Sequence, residues 1–162
     1  MSGNAYLKKG SENKALEKFR EVLAANPGIT QARVKIARIC AKQGRDEEAI
    51  HCLQEALSYN PQFKPAHLAL ASIYQKRGHN EAALSEIEKV ISSDPDSIQG
   101  QFRYAVLLLR ERDYDRAVSA CRKAVTLKPE GARLRLLLGR CYLASKEYES
   151  ALQEFEKVTE LD

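Results

Sequence analysis

The side chains able to do chemistry in this 162-residue chain are few and dispersed. Four cysteines, Cys40, Cys52, Cys121 and Cys141, show no C-x-x-C pairing, and three of them fall in positions otherwise filled by apolar residues. A metal site needs clustered ligands. Only His51 and Cys52 are adjacent, and neighbours on one helix do not converge on one ion. His51, His67 and His79 are scattered. There is no phosphate-cradling loop, no nucleophile elbow and no carboxylate pair set beside a base. The sequence therefore predicts no catalytic residue, no metal ligand and no cofactor. The cysteines read as small buried hydrophobes, and their unpaired state points to a reducing compartment, the cytoplasm. The chemistry left to the chain is recognition, by charge and by apolar contact.

The elements that must position those groups are set by a repeat. Pro27, Pro61, Pro95 and Pro129 stand 34 residues apart at every step, a period in the range of helical solenoids. Small residues recur at Gly3, Ala37, Ala71, Ala105 and Gly139, and again at Ala15, Ala49, Ala83, Ala117 and Ala151. Larger apolar groups recur at Phe19, Leu53, Ile87, Cys121 and Phe155. Within each unit the apolar residues fall at three- and four-residue steps twice over, so each unit reads as helix A, a tight turn and helix B. Gly10, Gly44 and Gly78 close helix A in a left-handed conformation. Arg112 and Lys146 hold the same slot later, at a cost of roughly 1–2 kcal/mol if they adopt that geometry. Asp46, Asn80 and Asp113 are expected to cap helix B, and the residue before each boundary proline is pushed out of the helical region.

These columns, with stretches such as Asn4-Ala5-Tyr6-Leu7-Lys8-Lys9-Gly10 and Asp113-Tyr114-Asp115-Arg116-Ala117, resemble the tetratricopeptide repeat over essentially the whole chain. One departure is that Arg33, His67, Gln101 and Arg135 stand where a bulky aromatic is common early in helix A. The resemblance implies an all-α fold, a right-handed superhelical solenoid of antiparallel helix pairs. It spans residues 1–162 as a single array, with repeats at about 1–29 (truncated), 30–63, 64–97, 98–131 and 132–162. It also implies that helix A lines a concave groove that binds a peptide. Carried over column by column, the groove would present Val34, Arg38 and Lys42, then Leu68, Ser72 and Lys76, then Phe102, Val106 and Arg110, then Arg133, Leu136 and Arg140. Asn4, Leu7 and Lys8 would be the remnant of the first repeat.

Val34, Leu68, Phe102 and Leu136 share one column, and so are expected to form an apolar stripe. Helix A is rich in arginine and lysine and helix B in glutamate, a separation that the formal net charge of +4 conceals. The expected partner is therefore a protein or peptide segment with acidic and apolar side chains, steered by charge and held by apolar contact. A nucleic-acid reading is weaker, because stacking on bases needs aromatics among the cations and Phe102 stands alone there. A substrate-recruiting accessory domain of a larger enzyme is the other alternative. A clamp for chaperone C-terminal carboxylates is not expected, since Pro65 and Ala69, Val34 and Arg38, and Leu68 and Ser72 occupy the slots it requires.

No stretch approaches the length of an apolar membrane span. The chain opens and closes in mid-pattern, which predicts an excised piece of about four and a half repeats. In the last helix Leu152, Phe155, Val158 and Leu161 have nothing after them to cover them, so end-to-end self-association is expected there.

Overall fold

The computed structural model describes residues 2–8 and 10–160, with the main chain alone at Lys8. The expected roles of the Lys8 side chain and of Leu161 lie outside the described residues. Everything regular among those residues is α-helix. The chain divides into two compact units, residues 1–86 and 87–162, the division falling inside one helix.

The first unit holds α1 (Gly3–Lys8), α2 (Glu12–Ala25), α3 (Thr30–Lys42), α4 (Asp46–Tyr59), α5 (Lys64–Lys76) and the start of α6 (Asn80–Ser93). Each helix packs on the next from α1 to α5, and α3 also touches α5 directly. The second unit holds the rest of α6, then α7 (Ile98–Arg110), α8 (Tyr114–Leu127), α9 (Ala132–Ala144) and α10 (Tyr148–Thr159). Here α7 packs on α8, α8 on α9 and α9 on α10, with α7 touching α9. In both units neighbouring A helices therefore lie side by side, which lets equivalent side chains share a face.

The turns within repeats obey one rule. Gly10, Gly44 and Gly78 have φ of 72°, 78° and 77°, and Arg112 and Lys146 follow them at 62° and 67°. In each turn the residue after the left-handed one donates its N–H to a carbonyl five positions back, as Arg45 does to Cys40 and Glu147 to Tyr142. Such bonds satisfy carbonyls that the helix end leaves open. At the far end of helix B, Asn26 and Asn60 are extended, and their side-chain oxygens accept from the N–H of Gly28 and Gln62.

Capping differs from the expectation at two places, Asp46 and Asn80. Asp113 is an N-cap and accepts from the Arg116 N–H. Asp46 is not: Arg45 holds the cap position, and Asp46 is the first residue of α4. From there its carboxylate still meets the positive helix end and takes an ion pair from Lys76 at 3.1 Å. Asn80 likewise begins α6 rather than preceding it.

Packing explains the small columns. A Cβ at Gly139 would lie 2.4 Å from the Phe155 ring, and one at Gly3 would lie 2.8 Å from Phe19. Where the column holds Ala37 or Ala105, the matching large position holds Leu53 or Cys121 instead of phenylalanine, and all four are buried. On α10, Leu152 is 59% exposed and Tyr148 is exposed too, whereas Phe155 and Val158 are half-buried.

Candidate functional site

In the first unit the residues expected to form a binding strip are largely engaged in holding the fold. Val34 is 0% exposed within the core cluster and Leu68 only 8%, so neither offers a ligand an apolar floor. The side chains of the adjoining helices close over them, and the column that looked free in sequence is core here. Lys42 reaches back to Glu12 at 2.5 Å, and Lys76 to Asp46 at 3.1 Å, each tying the end of one helix A to the start of the preceding helix B. The Ser72 hydroxyl donates to the Leu68 carbonyl one turn earlier. Arg38 is exposed and makes no ion pair among the described residues.

The second unit is different. Phe102 and Val106 on α7 are half-buried, and Leu136 on α9 is 46% exposed. Two turns beyond, Leu143 is 51% exposed. The Arg133 guanidinium lies 5.6 Å from the centre of the Phe102 ring, so a cation from α9 covers an aromatic on α7. Such stacking is worth about 0.5–1 kcal/mol at an exposed site. Arg110 and Arg140 are exposed on the same helices and make no ion pair among the described residues. The helix register sets Phe102, Val106 and Leu109 on one face of α7, and Leu136, Arg140 and Leu143 on one face of α9. The adjacency of α7 and α9 makes one strip of the two faces, apolar along its middle and cationic at its edges. Leu143 lies seven residues after Leu136, a spacing that sets it on the same face of the helix.

The polar residues that replace the usual aromatic have a structural role. His67, Gln101 and Arg135 each donate to the carbonyl of the proline six residues earlier, Pro61, Pro95 and Pro129, at 2.8, 3.0 and 2.8 Å. In two repeats a buried glutamate of helix B completes the arrangement. Glu86 lies 2.6 Å from His67, and Glu154 lies 2.8 Å from Arg135. Burial pushes the Glu154 carboxyl up, but hydrogen bonds from Lys157 and Arg135 outweigh that and hold it below its ordinary value. Arg33 has no such partner: Cys52 occupies the glutamate position, and the buried Nε of Arg33 finds no acceptor among the described residues. Its guanidinium settles 3.6 Å from Glu55 and 5.1 Å from the centre of the Tyr59 ring. These glutamates were not singled out in the sequence, although two of them lie 19 residues after a polar residue of the aromatic column.

Three of the four thiols are held protonated, whereas the hydrogen bond with Cys121 draws Cys141 below its ordinary value. Burial pushes Cys40 up to about 11 and raises Cys52 as well, while Cys121 and Cys141 sit 3.6 Å apart in the core between α8 and α9. The hydrogen bond with Cys141, together with burial, holds the Cys121 thiol protonated. Among the described residues no three histidine, cysteine or carboxylate side chains are grouped to hold a metal ion. None of the described helices is long and apolar enough to cross a membrane.

Comparison with known proteins agrees with this fold. Models of the tetratricopeptide repeat match residues 68–132 and 108–162, and a further TPR repeat model matches residues 37–78. Among solved structures, a crystal structure of MamA is similar over 98% of this chain and 93% of its own, at 20% identity and a TM-score of 0.84. A MamA structure running from residue 41 to the end, from Desulfovibrio magneticus RS-1, is similar over 98% of this chain and 90% of its own, at 21% identity and a TM-score of 0.84. At that identity the likeness concerns the fold. No curated protein matches the chain.

Proposed function

Because this chain belongs to the tetratricopeptide repeat family, a family of protein–protein interaction scaffolds, we propose that it binds a partner's peptide segment along the strip formed by α7 and α9. The observation that carries this reading is the exposure of Leu136 and Leu143 beside Arg140, on the helix whose Arg133 covers Phe102. Exposed leucines in a row have no packing role, and a rim of unpaired arginines selects acidic neighbours for apolar anchors. The ligand is a segment with apolar side chains three or four residues apart and carboxylates flanking them.

The first unit has a lesser part in this reading. Arg38 adds charge, while Val34, Lys42, Leu68, Ser72 and Lys76 maintain the stack. The chain itself performs no chemistry, and any catalysis would reside in a protein it recruits or is joined to. Its reduced cysteines fit a cytoplasmic setting.

The test is capture of partners on the immobilised chain, comparing wild type with Leu136→Asp and with Arg140→Glu. Partners retained by the wild type and lost from both variants, with unchanged circular dichroism, support the strip. Retention by both variants excludes it.

A further inference from the structure

The second unit has a cleft of about 300 Å³ on another face of α7, lined by Gln101, Tyr104, Arg116, Ser119, Ala120 and Lys123. Its lining contains two cations, two hydroxyls and a carboxamide, and no carboxylate. Its origin lies in the repeat. The residues equivalent to Ala120, one period before and one after, are Glu86 and Glu154. Both are buried, and both present a carboxylate to the polar residue of helix A. Ala120 removes that side chain, and Gln101 stands where His67 or Arg135 meets it, so the space a glutamate fills in the sister repeats stands open here.

The surroundings retain the charge that suits a carboxylate. Arg116, Ala120 and Lys123 follow at helical spacing along α8, which puts both cations at the cleft. Acids reach these cations only from outside the lining. Arg116 meets Asp113 at 3.2 Å and Glu88 at 3.4 Å, and Lys123 meets Asp96 at 3.4 Å. Tyr104 lines the cleft, and its hydroxyl accepts from Arg116 and donates to Glu88. The buried Gln101 is fixed in place by the Pro95 carbonyl.

We propose that this cleft receives an acidic side chain, glutamate or aspartate, from a partner protein, which supplies in trans the carboxylate that Glu86 and Glu154 supply in cis. The arriving carboxylate sits between Arg116 and Lys123 and accepts from the Ser119 hydroxyl. Exposed ion pairs of this kind are weak one at a time, so the cleft selects one side chain within a larger interface. The site is separate from the strip of Phe102, Leu136 and Leu143, and either can fail without the other.

The experiment titrates two capped peptides, acetyl-Ala-Glu-Ala-amide and acetyl-Ala-Gln-Ala-amide, into the full ¹⁵N-labelled chain at physiological salt. The amide signals of Gln101, Ser119 and Ala120 are followed by NMR. The glutamate peptide is expected to give saturable shifts at these three amides, and the glutamine peptide none. In the Ala120→Glu variant the built-in carboxylate occupies the cleft and the shifts vanish. Lys123→Gln, a change at a half-buried position that keeps a polar side chain of similar length, weakens the response at least threefold. Equal shifts from both peptides, or shifts that persist in Ala120→Glu, overturn the proposal. Inorganic phosphate binding more than tenfold tighter than the glutamate peptide overturns the choice of occupant.

Discussion

Nδ1 of His67 lies 2.6 Å from Oε2 of Glu86, with both side chains buried, and Nε2 of the same ring lies 2.8 Å from the Pro61 carbonyl oxygen. One imidazole thereby joins helix A, helix B and the turn that precedes them. Both ring nitrogens face oxygens, and Nε2–H donates to the Pro61 carbonyl. Breaking such a pair from one side leaves a buried polar group without its partner, at a cost of about 3–5 kcal/mol, whereas an apolar pair of similar volume is often neutral. Glu86→Leu alone is therefore expected to lower the urea midpoint strongly. His67→Phe combined with Glu86→Leu is expected to recover at least half of the loss. If the double variant is no more stable than Glu86→Leu, the pair is not the source of the effect.

The two non-glycine turns offer a gain in stability. Arg112 and Lys146 have positive φ, which costs roughly 1–2 kcal/mol for a residue with a Cβ. Glycine removes that cost but adds about 0.5–1 kcal/mol of unfolded-chain entropy. Arg112→Gly and Lys146→Gly should each stabilise the chain by about 0.5–1 kcal/mol in chemical denaturation. Gly44→Ala should move the other way.

Acid should weaken the last repeat through Glu154. Its carboxyl titrates below its ordinary value in the folded chain, because the hydrogen bonds from Lys157 and Arg135 outweigh its burial. On acidification the unfolded chain takes up the proton first, so the contribution is complete above the ordinary glutamate value, near pH 4.5, and falls away as pH drops through the folded value. The Tm difference between wild type and Glu154→Gln should be largest near neutrality and shrink below pH 4.5. A difference independent of pH would show that the carboxylate's charge is not responsible.

Charge and apolar contact in the strip should separate kinetically. Arg110→Glu with Arg140→Glu should slow association with an acidic partner and flatten its salt dependence. Leu136→Ala with Leu143→Ala should raise the dissociation rate instead. Stopped-flow or biosensor traces at two salt concentrations distinguish the two outcomes.

How much was legible in the sequence depended on the reach of each interaction. The left-handed turns at Arg112 and Lys146 could be read, although neither residue favours that conformation, because the period identified the slot. Asp46 was placed one residue too early, since cap position depends on backbone dihedrals that a column does not record. The stripe of Val34, Leu68, Phe102 and Leu136 was correct as a column and uneven as a surface. Burial at Val34 is decided by side chains of neighbouring helices, which differ between the copies. The carboxylates of Glu86 and Glu154 were hidden for a related reason: an acid on a helix rich in acids carries no mark of facing inward.

Gly139→Ala tests the closest approach of two helices. The added methyl would meet the Phe155 ring well inside contact distance, and overpacking of this kind costs about 1–3 kcal/mol. Gly139→Ala is expected to lower Tm, and adding Phe155→Leu should restore most of it.

That fit between Gly139 and Phe155, and the looser one between Ala37 and Leu53, makes each pair of helices a matched lock. Shuffling whole hairpins between copies of this chain would conserve those fits. Exchanging a single helix would put phenylalanine against alanine in one place and leucine against glycine in another, one too tight and one hollow. A whole hairpin is therefore the smallest piece that can be exchanged with these fits kept.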